Sequence, residues 1–129
     1  MKKQSGLLRR LTALALALCM LAALTAEIFA ADTVASGYCG SEGDGKNLTW
    51  TLDSEGVLTI SGLGKMKDYE NDNKNRAPWY SSRKSLKKLV LKSGITSIGD
   101  YAFFDCSNLT GDLKIPSNVH SIGENAFGY

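Results

Sequence analysis

Few side chains of this chain are placed to do acid–base, nucleophilic or metal chemistry. The single histidine, His120, lies in the strand-like stretch NVHSIG without an acid–base partner at a motif spacing. The spacing of three acidic residues, Asp68, Glu70 and Asp72, is similar to that of a calcium-binding loop. However, Asn73 stands where an EF-hand requires glycine for its sharp turn. Because no catalytic constellation is present, we predict a protein that is not an enzyme and that uses no cofactor or metal.

The sequence has three cysteines, of which Cys19 lies in an apolar N-terminal run. The other two, Cys39 and Cys106, do not belong to paired CxxC motifs, so we predict no zinc site. A single pair in an exported chain can form a disulfide, and a cysteine inside a repeat can instead pack as a small apolar residue. The sequence leaves both states of Cys39 and Cys106 open.

Residues 1–30 have the features of a secretory signal peptide. Residues 1–10 carry four basic side chains, and residues 11–26 form an uncharged, apolar run of 16 residues. This pattern is typical of exported proteins, whereas a permanent membrane span takes about 20 apolar residues. We predict cleavage after Ala30 and a secreted or cell-surface protein that meets the membrane only through this peptide during export. A retained N-terminal anchor is the alternative.

The charge of the chain does not indicate a nucleic-acid partner. The sequence has 15 basic and 13 acidic residues, and residues 1–30 hold four of the basic residues and one of the acidic residues. The remaining 11 basic and 12 acidic residues give residues 31–129 a net charge of −1. We interpret the basic cluster within residues 83–88 as a solvated surface, because nucleic-acid binding requires a concentrated basic face.

The first part of the exported chain predicts a lead-in followed by a β-hairpin. Residues 31–47 are rich in Gly, Ser, Asp and Ala, which is typical of a flexible lead-in. Residues 48–52 and 57–60 alternate between apolar and polar side chains, as half-buried strands do. The loop between them contains Gly56, which suits a tight hairpin connection. We assign residues 48–85 to a capping segment made of this hairpin and an aromatic loop.

The aromatic loop contains Tyr69, Trp79 and Tyr80 within a polar, turn-rich stretch. Exposed rings would make a carbohydrate-stacking platform, whereas buried rings would anchor the loop to the neighbouring repeat. We favour anchoring, because large rings gain most from burial.

The stretch SIGDYAFFDC at residues 97–106 returns as SIGENAFGY at residues 121–129. Ile98 and Phe103 each have a counterpart 24 residues later, and such a period is typical of a solenoid whose coils stack around one core. We divide residues 86–129 into a complete first repeat and an incomplete second repeat, each with a short strand and a single helical turn. The second repeat starts at Leu109 and has one extra residue in its TGD segment. The predicted core ladder consists of Leu89, Leu91, Ile98, Phe103, Leu113, Ile115, Ile122 and Phe127.

The motif SIGDYAFFDCSNL…L.IP..V.SIG..AF resembles the BspA-like leucine-rich repeat family of bacterial surface proteins. The upstream CG…NLTWTLDSEGVLTISGLGKM…APWY is similar to the segment that often precedes such repeats, so the resemblance covers about residues 37–129. It implies a mainly β fold, with a β-hairpin cap followed by a short leucine-rich-repeat solenoid. Because Tyr129 aligns with Asp105, one position before the repeated cysteine, we expect the chain to be the N-terminal piece of a longer protein.

The resemblance also implies a secreted or surface-attached adhesion module that binds an extracellular protein or cell-surface ligand. The alternative is a non-catalytic N-terminal cap or spacer of a larger surface protein or enzyme. Residues between the inward positions of a strand face solvent. On that basis the candidate binding face consists of Lys88, Val90, Lys92, Asp112 and Lys114.

Overall fold

The structure of the chain is a computed structural model that describes residues 31–129. Within these residues, Asp32–Tyr129 form one compact unit, which is described below. The predicted signal peptide, residues 1–30, and its cleavage site after Ala30 lie outside the described residues. In residues 31–129, no helix combines the length and the apolar character needed to cross a membrane.

The described part of the chain contains seven short strands and one 3₁₀ helix, Tyr80–Ser82. The strands are β1 (Thr33–Tyr38), β2 (Leu48–Asp53), β3 (Val57–Gly62), β4 (Gly64–Lys65), β5 (Lys88–Leu91), β6 (Ile95–Ile98) and β7 (Ser121–Ile122). They form a four-stranded sheet in the order β1-β2-β3-β5 and a three-stranded sheet in the order β4-β6-β7. The prediction of a mainly β fold is confirmed.

Strands β2 and β3 form the predicted hairpin. They pair antiparallel from Leu48 opposite Gly62 to Leu52 opposite Leu58, and alternate residues of β2 are buried. The loop between the strands has a φ of 81° at Gly56, a left-handed value that glycine adopts without steric cost. The hairpin follows from the alternation of apolar residues and from this one glycine.

Residues 31–47 are not the flexible lead-in that their composition predicts, because Thr33–Tyr38 pair antiparallel with β2. Gly37 lies opposite Trp50, and the indole covers the place where a Cβ of residue 37 would stand. A large ring on the neighbouring strand supplies the apolar surface that an edge glycine lacks. The contact buries the Trp50 Nε1 group without an acceptor among the described residues.

Strand β3 belongs to the hairpin and to the solenoid at once. It pairs parallel with β5, from Val57 opposite Lys88 to Ile60 opposite Leu91. Beyond it, β4 pairs parallel with β6, and β6 pairs parallel with β7. The segment that contains β3 and β4 therefore stacks on the first repeat in the same way as one repeat stacks on the next. The boundary predicted at residue 86 does not separate the cap from the solenoid.

The segment after the first SIG motif differs from the predicted helical turn. Residues 100–105 form a series of turns, and Tyr101 and Asp105 have φ values of 53° and 56°, which interrupt a right-handed helix. Tyr101 N donates to Glu124 O at 2.9 Å, and Asp105 N donates to Gly128 O at 2.7 Å. These N–H groups thus bond to the second repeat and hold the two repeats together.

The aromatic loop is anchored in the core. Trp79 is 1% exposed and Tyr69 is 4% exposed, so neither ring is available as a carbohydrate platform. Trp79 Nε1 donates to Ala102 O at 2.7 Å, and the indole stacks on the Phe103 ring with centroids 5.5 Å apart. The Tyr80 ring is partly exposed. The loop therefore closes one side of the first repeat.

The inward residues of the second repeat are not buried, contrary to the predicted core ladder. The exposed fractions of Leu113, Ile115, Ile122 and Phe127 are 38%, 40%, 51% and 43%. The four ladder residues of the first repeat are buried, and the Phe103 and Phe127 rings stack with centroids 5.3 Å apart. In a solenoid each repeat contacts only its neighbours, and nothing in residues 31–129 packs over the outer side of the second repeat.

Candidate binding face

The candidate face begins on β5. Lys88 and Lys92 are exposed, and Val90 is half-buried. Leu89 and Leu91 are 7% and 9% exposed and belong to the core. This alternation follows from the two-residue period of a strand that covers a core on one face only.

A gap separates β5 from the corresponding segment of the second repeat. Thr110 N donates to Lys87 O at 3.0 Å before the gap, and His120 N donates to Thr96 O at 2.9 Å after it. Between these two bonds, the described structure has no backbone–backbone hydrogen bond from one segment to the other, and a side-chain bond from Asn118 Nδ2 to Ser93 O at 2.8 Å crosses beyond the end of β5. The first repeat covers nine residue steps between the bonds, from 87 to 96, and the second covers ten, from 110 to 120.

The local sequence of the second repeat keeps this segment away from β5. Gly111 adopts a φ of 79°, a left-handed value that does not continue an extended strand, and Pro116 has no N–H group to offer to a neighbouring strand. Residues 112–115 form no strand, and Asp112 and Lys114 stand exposed on the far side of the gap.

All five candidate residues line one groove of about 520 Å³, together with Leu89 and Leu91. Consecutive residues of β5 contribute to it from both faces of the strand, so the groove runs along a strand edge. Since β3 occupies the opposite edge of β5, the groove marks the edge that is left open.

The groove carries an excess of positive charge. Lys88, Lys92 and Lys114 line it with one acidic residue, Asp112. None of these four residues is in an ion pair within the described part of the chain. The groove therefore favours a ligand with negative charge.

The neighbouring basic residues Arg83 and Lys84 are paired instead. Asp105 accepts a hydrogen bond from Lys84 Nζ at 2.9 Å and another from Arg83 Nε at 3.0 Å. These two bonds, first that from Lys84, hold the pKa of Asp105 below its usual value. The positive charge of the groove thus comes from its own lysines.

Cys39 and Cys106 are free thiols in the structure, so they do not form the disulfide that the sequence left open. Burial raises the pKa of Cys39 to about 12, and burial is also the main cause that raises the pKa of Cys106 to about 11. Because the thiolate is the reactive form of cysteine, both side chains are poor nucleophiles at neutral pH.

The remaining residues that could take part in acid–base or metal chemistry are not brought together in the described part of the chain. His120 is exposed, and its backbone bonds to the first repeat. Asp72 accepts N–H groups of its own loop, and these bonds, first that from Asn75 at 2.7 Å and then that from Lys74 at 2.8 Å, lower its pKa. Residues 31–129 contain no group of three or more His, Cys, Asp or Glu side chains placed to hold a metal ion.

The repeats match a known family. Residues 77–129 match the family model described as BspA type leucine-rich repeat region (6 copies). This region belongs to the BspA-like leucine-rich repeat family. A crystal structure of a leucine-rich repeat protein from Eubacterium ventriosum ATCC 27560 is 40% identical to this chain, with a TM-score of 0.59 over 72% of it. The chain spans only 23% of that protein's length. No curated protein matches the chain.

The predicted resemblance to BspA-like repeats is therefore confirmed, and the region is a repeat module of the kind that presents extended surfaces for protein interaction. Strand alternation was enough to select the five side chains, which the structure brings to one groove. It did not reveal that the backbone edge of β5 lies open between them. The available signal was the extra residue in the TGD segment of the second BspA-like repeat.

Proposed function

We propose that this chain is an exported, non-catalytic adhesion module that binds a protein on a host cell or a neighbouring cell through the β5 groove. One observation carries the proposal: five side chains from two repeats, selected by strand alternation, converge on a single groove. The BspA-like repeats and the signal-peptide pattern of residues 1–30 support an extracellular setting.

Cell binding by the full chain tests this proposal. The labelled chain is titrated onto bacterial and epithelial cells, before and after protease treatment of the cells. We expect saturable binding that the protease treatment abolishes, since the proposed ligand is a protein. Binding that does not saturate, or that survives the protease, contradicts the proposal.

A charge-reversal variant locates the binding surface. The variant Lys88→Glu/Lys92→Glu/Lys114→Glu should bind at least about tenfold more weakly, because it reverses the charge of the groove. The matched control, Lys46→Glu/Lys65→Glu/Lys74→Glu, changes the same total charge at exposed positions outside the groove and should bind as the parent chain does. Equal losses in the two variants would place the binding surface elsewhere.

A second candidate function is that of a non-catalytic N-terminal cap or spacer. The observation that favours it is the asymmetry of the solenoid: the hairpin and β1 cover one end, whereas the second repeat exposes its apolar residues at the other. Under this alternative the groove variant binds cells as well as the parent chain does. We expect Trp50→Ala, which uncovers Gly37 in the cap, to lower stability under both proposals, so this variant does not distinguish them.

A further inference from the structure

Half of the hydrogen-bonding groups on the β5 backbone point into the groove. The N–H groups of Lys88 and Lys92 donate toward the β3 side, at 3.3 and 3.0 Å. In a parallel ladder successive residues direct their N–H and C=O groups to opposite neighbours. The N–H and C=O groups of Leu89 and Leu91 therefore face the open edge, where the described residues provide no backbone partner.

We propose that the groove takes an extended, acidic peptide segment of another protein, which adds a strand to β5. This inference rests on the proposed binding function and specifies the class of partner and the mode of recognition. In strand addition, main-chain hydrogen bonds supply affinity, and alternate side chains supply specificity. The β5 edge offers two N–H donors and two C=O acceptors for this purpose.

The second repeat does not fill this edge itself. Its segment between Thr110 and His120 is one residue longer than the matching segment of the first repeat. The positive φ of Gly111 and the missing N–H group of Pro116 oppose a regular ladder with β5. The groove is thus a consequence of the sequence of this repeat.

The side chains around the open edge define what the inserted strand should carry. On the solvent side, Lys88, Lys92 and Lys114 favour glutamate or aspartate. On the core side, an adjoining hollow of about 170 Å³ is lined in part by Leu113 and Phe127, both partly exposed. Because side chains of a strand alternate between its faces, the matching peptide alternates acidic and apolar residues.

Hydrogen exchange on the full chain tests strand addition directly. The probe is a ten-residue peptide of alternating glutamate and valine with blocked ends, and the control peptide has lysine in place of glutamate. In the free chain, the amides of Leu89 and Leu91 should exchange faster than those of Val90 and Lys92. Saturation with the acidic peptide should slow exchange at Leu89 and Leu91 by at least about tenfold, since they become hydrogen-bonded.

Two variants show whether the charge of the groove selects the peptide. Lys88→Glu/Lys92→Glu should weaken binding of the acidic peptide at least about tenfold, and Lys46→Glu/Lys74→Glu should leave it unchanged. Failure of the peptide to bind, binding without protection of Leu89 and Leu91, or equal binding of the lysine peptide overturns the proposal. Protection of both amides in the free chain also overturns it, because the second repeat would then complete the strand.

The two proposals fail in different ways. One outcome is that the groove variant loses cell binding while the Leu89 and Leu91 amides stay unprotected at a high concentration of the peptide. This outcome supports the binding face and contradicts strand addition. The other outcome is that the peptide protects these amides and the chain binds no cells. This outcome supports strand addition and contradicts the cell-adhesion function.

Discussion

Replacing Phe103 by alanine tests whether stacked rings hold the solenoid together. The Phe103 ring is 1% exposed and lies between Trp79, with centroids 5.5 Å apart, and Phe127, with centroids 5.3 Å apart. A buried aromatic side chain removes about 150–250 Å² from water, which corresponds to about 4–6 kcal/mol at about 25 cal/mol per Å². Emptying such a site typically costs about 3–5 kcal/mol, and we expect a loss of that size.

Urea unfolding followed by tryptophan fluorescence measures this loss, because Trp79 contacts the deleted ring. With a denaturant dependence of about 1–3 kcal/mol per M, the midpoint should fall by at least about 1 M. Phe127→Ala is the matched control: it removes the same atoms from a ring that is 43% exposed, so it should cost about half as much. An unchanged midpoint for Phe103→Ala, or equal losses in the two variants, would refute the stacking account.

Three further predictions concern the thiols, one carboxylate and one turn. Because the pKa values of Cys39 and Cys106 are raised to about 12 and about 11, iodoacetamide at about pH 8 should label neither until the chain unfolds; peptide mapping that finds either one labelled in the native chain contradicts this. The lowered pKa of Asp105 adds stability above the unfolded carboxyl pKa of about 3.9, and this stability is lost as the pH falls through the lower folded pKa. Asp105→Asn should therefore make stability less dependent on pH in that acid range, and unfolding curves with the same acid dependence as the parent chain would count against it. Gly56→Ala should cost more than the roughly 1–2 kcal/mol of a left-handed alanine, since its Cβ would meet the Ser85 carbonyl. The comparison is Gly43→Ala, whose site is open, and equal losses would be evidence against this contact.

The period of the repeats and the alternation of apolar residues were sufficient to predict the hairpin and the inward residues of the first repeat. Ile98 and Phe103 are both 1% exposed. This burial is expected of apolar residues that recur at the same position of each repeat. These features are local or strictly periodic, so they are visible in one sequence. The burial of Trp79 also follows from a simple rule, the gain from removing a large ring from water.

Strand β1 and the turn at residues 100–105 depend on contacts between distant segments. The composition of residues 31–47 is that of a loop, yet Thr33–Tyr38 pair with β2, and Trp50 covers Gly37 across the sheet. The DYAFFD stretch has a pattern compatible with a helical turn, yet its N–H groups donate to the second repeat. In both segments, tertiary hydrogen bonding and packing override local propensity.

At the candidate face, the period of the repeats does not predict the open edge of β5. The departure of the second repeat from that period does. If the second repeat matched the first in length, residues 112–115 would be free to continue the parallel ladder on β5, and the edge at Leu89 and Leu91 would be filled. The one extra residue, the left-handed Gly111 and the missing N–H of Pro116 oppose such a ladder. The repeated residues thus determine which side chains are buried, whereas the irregular ones determine which backbone groups stay available to a partner.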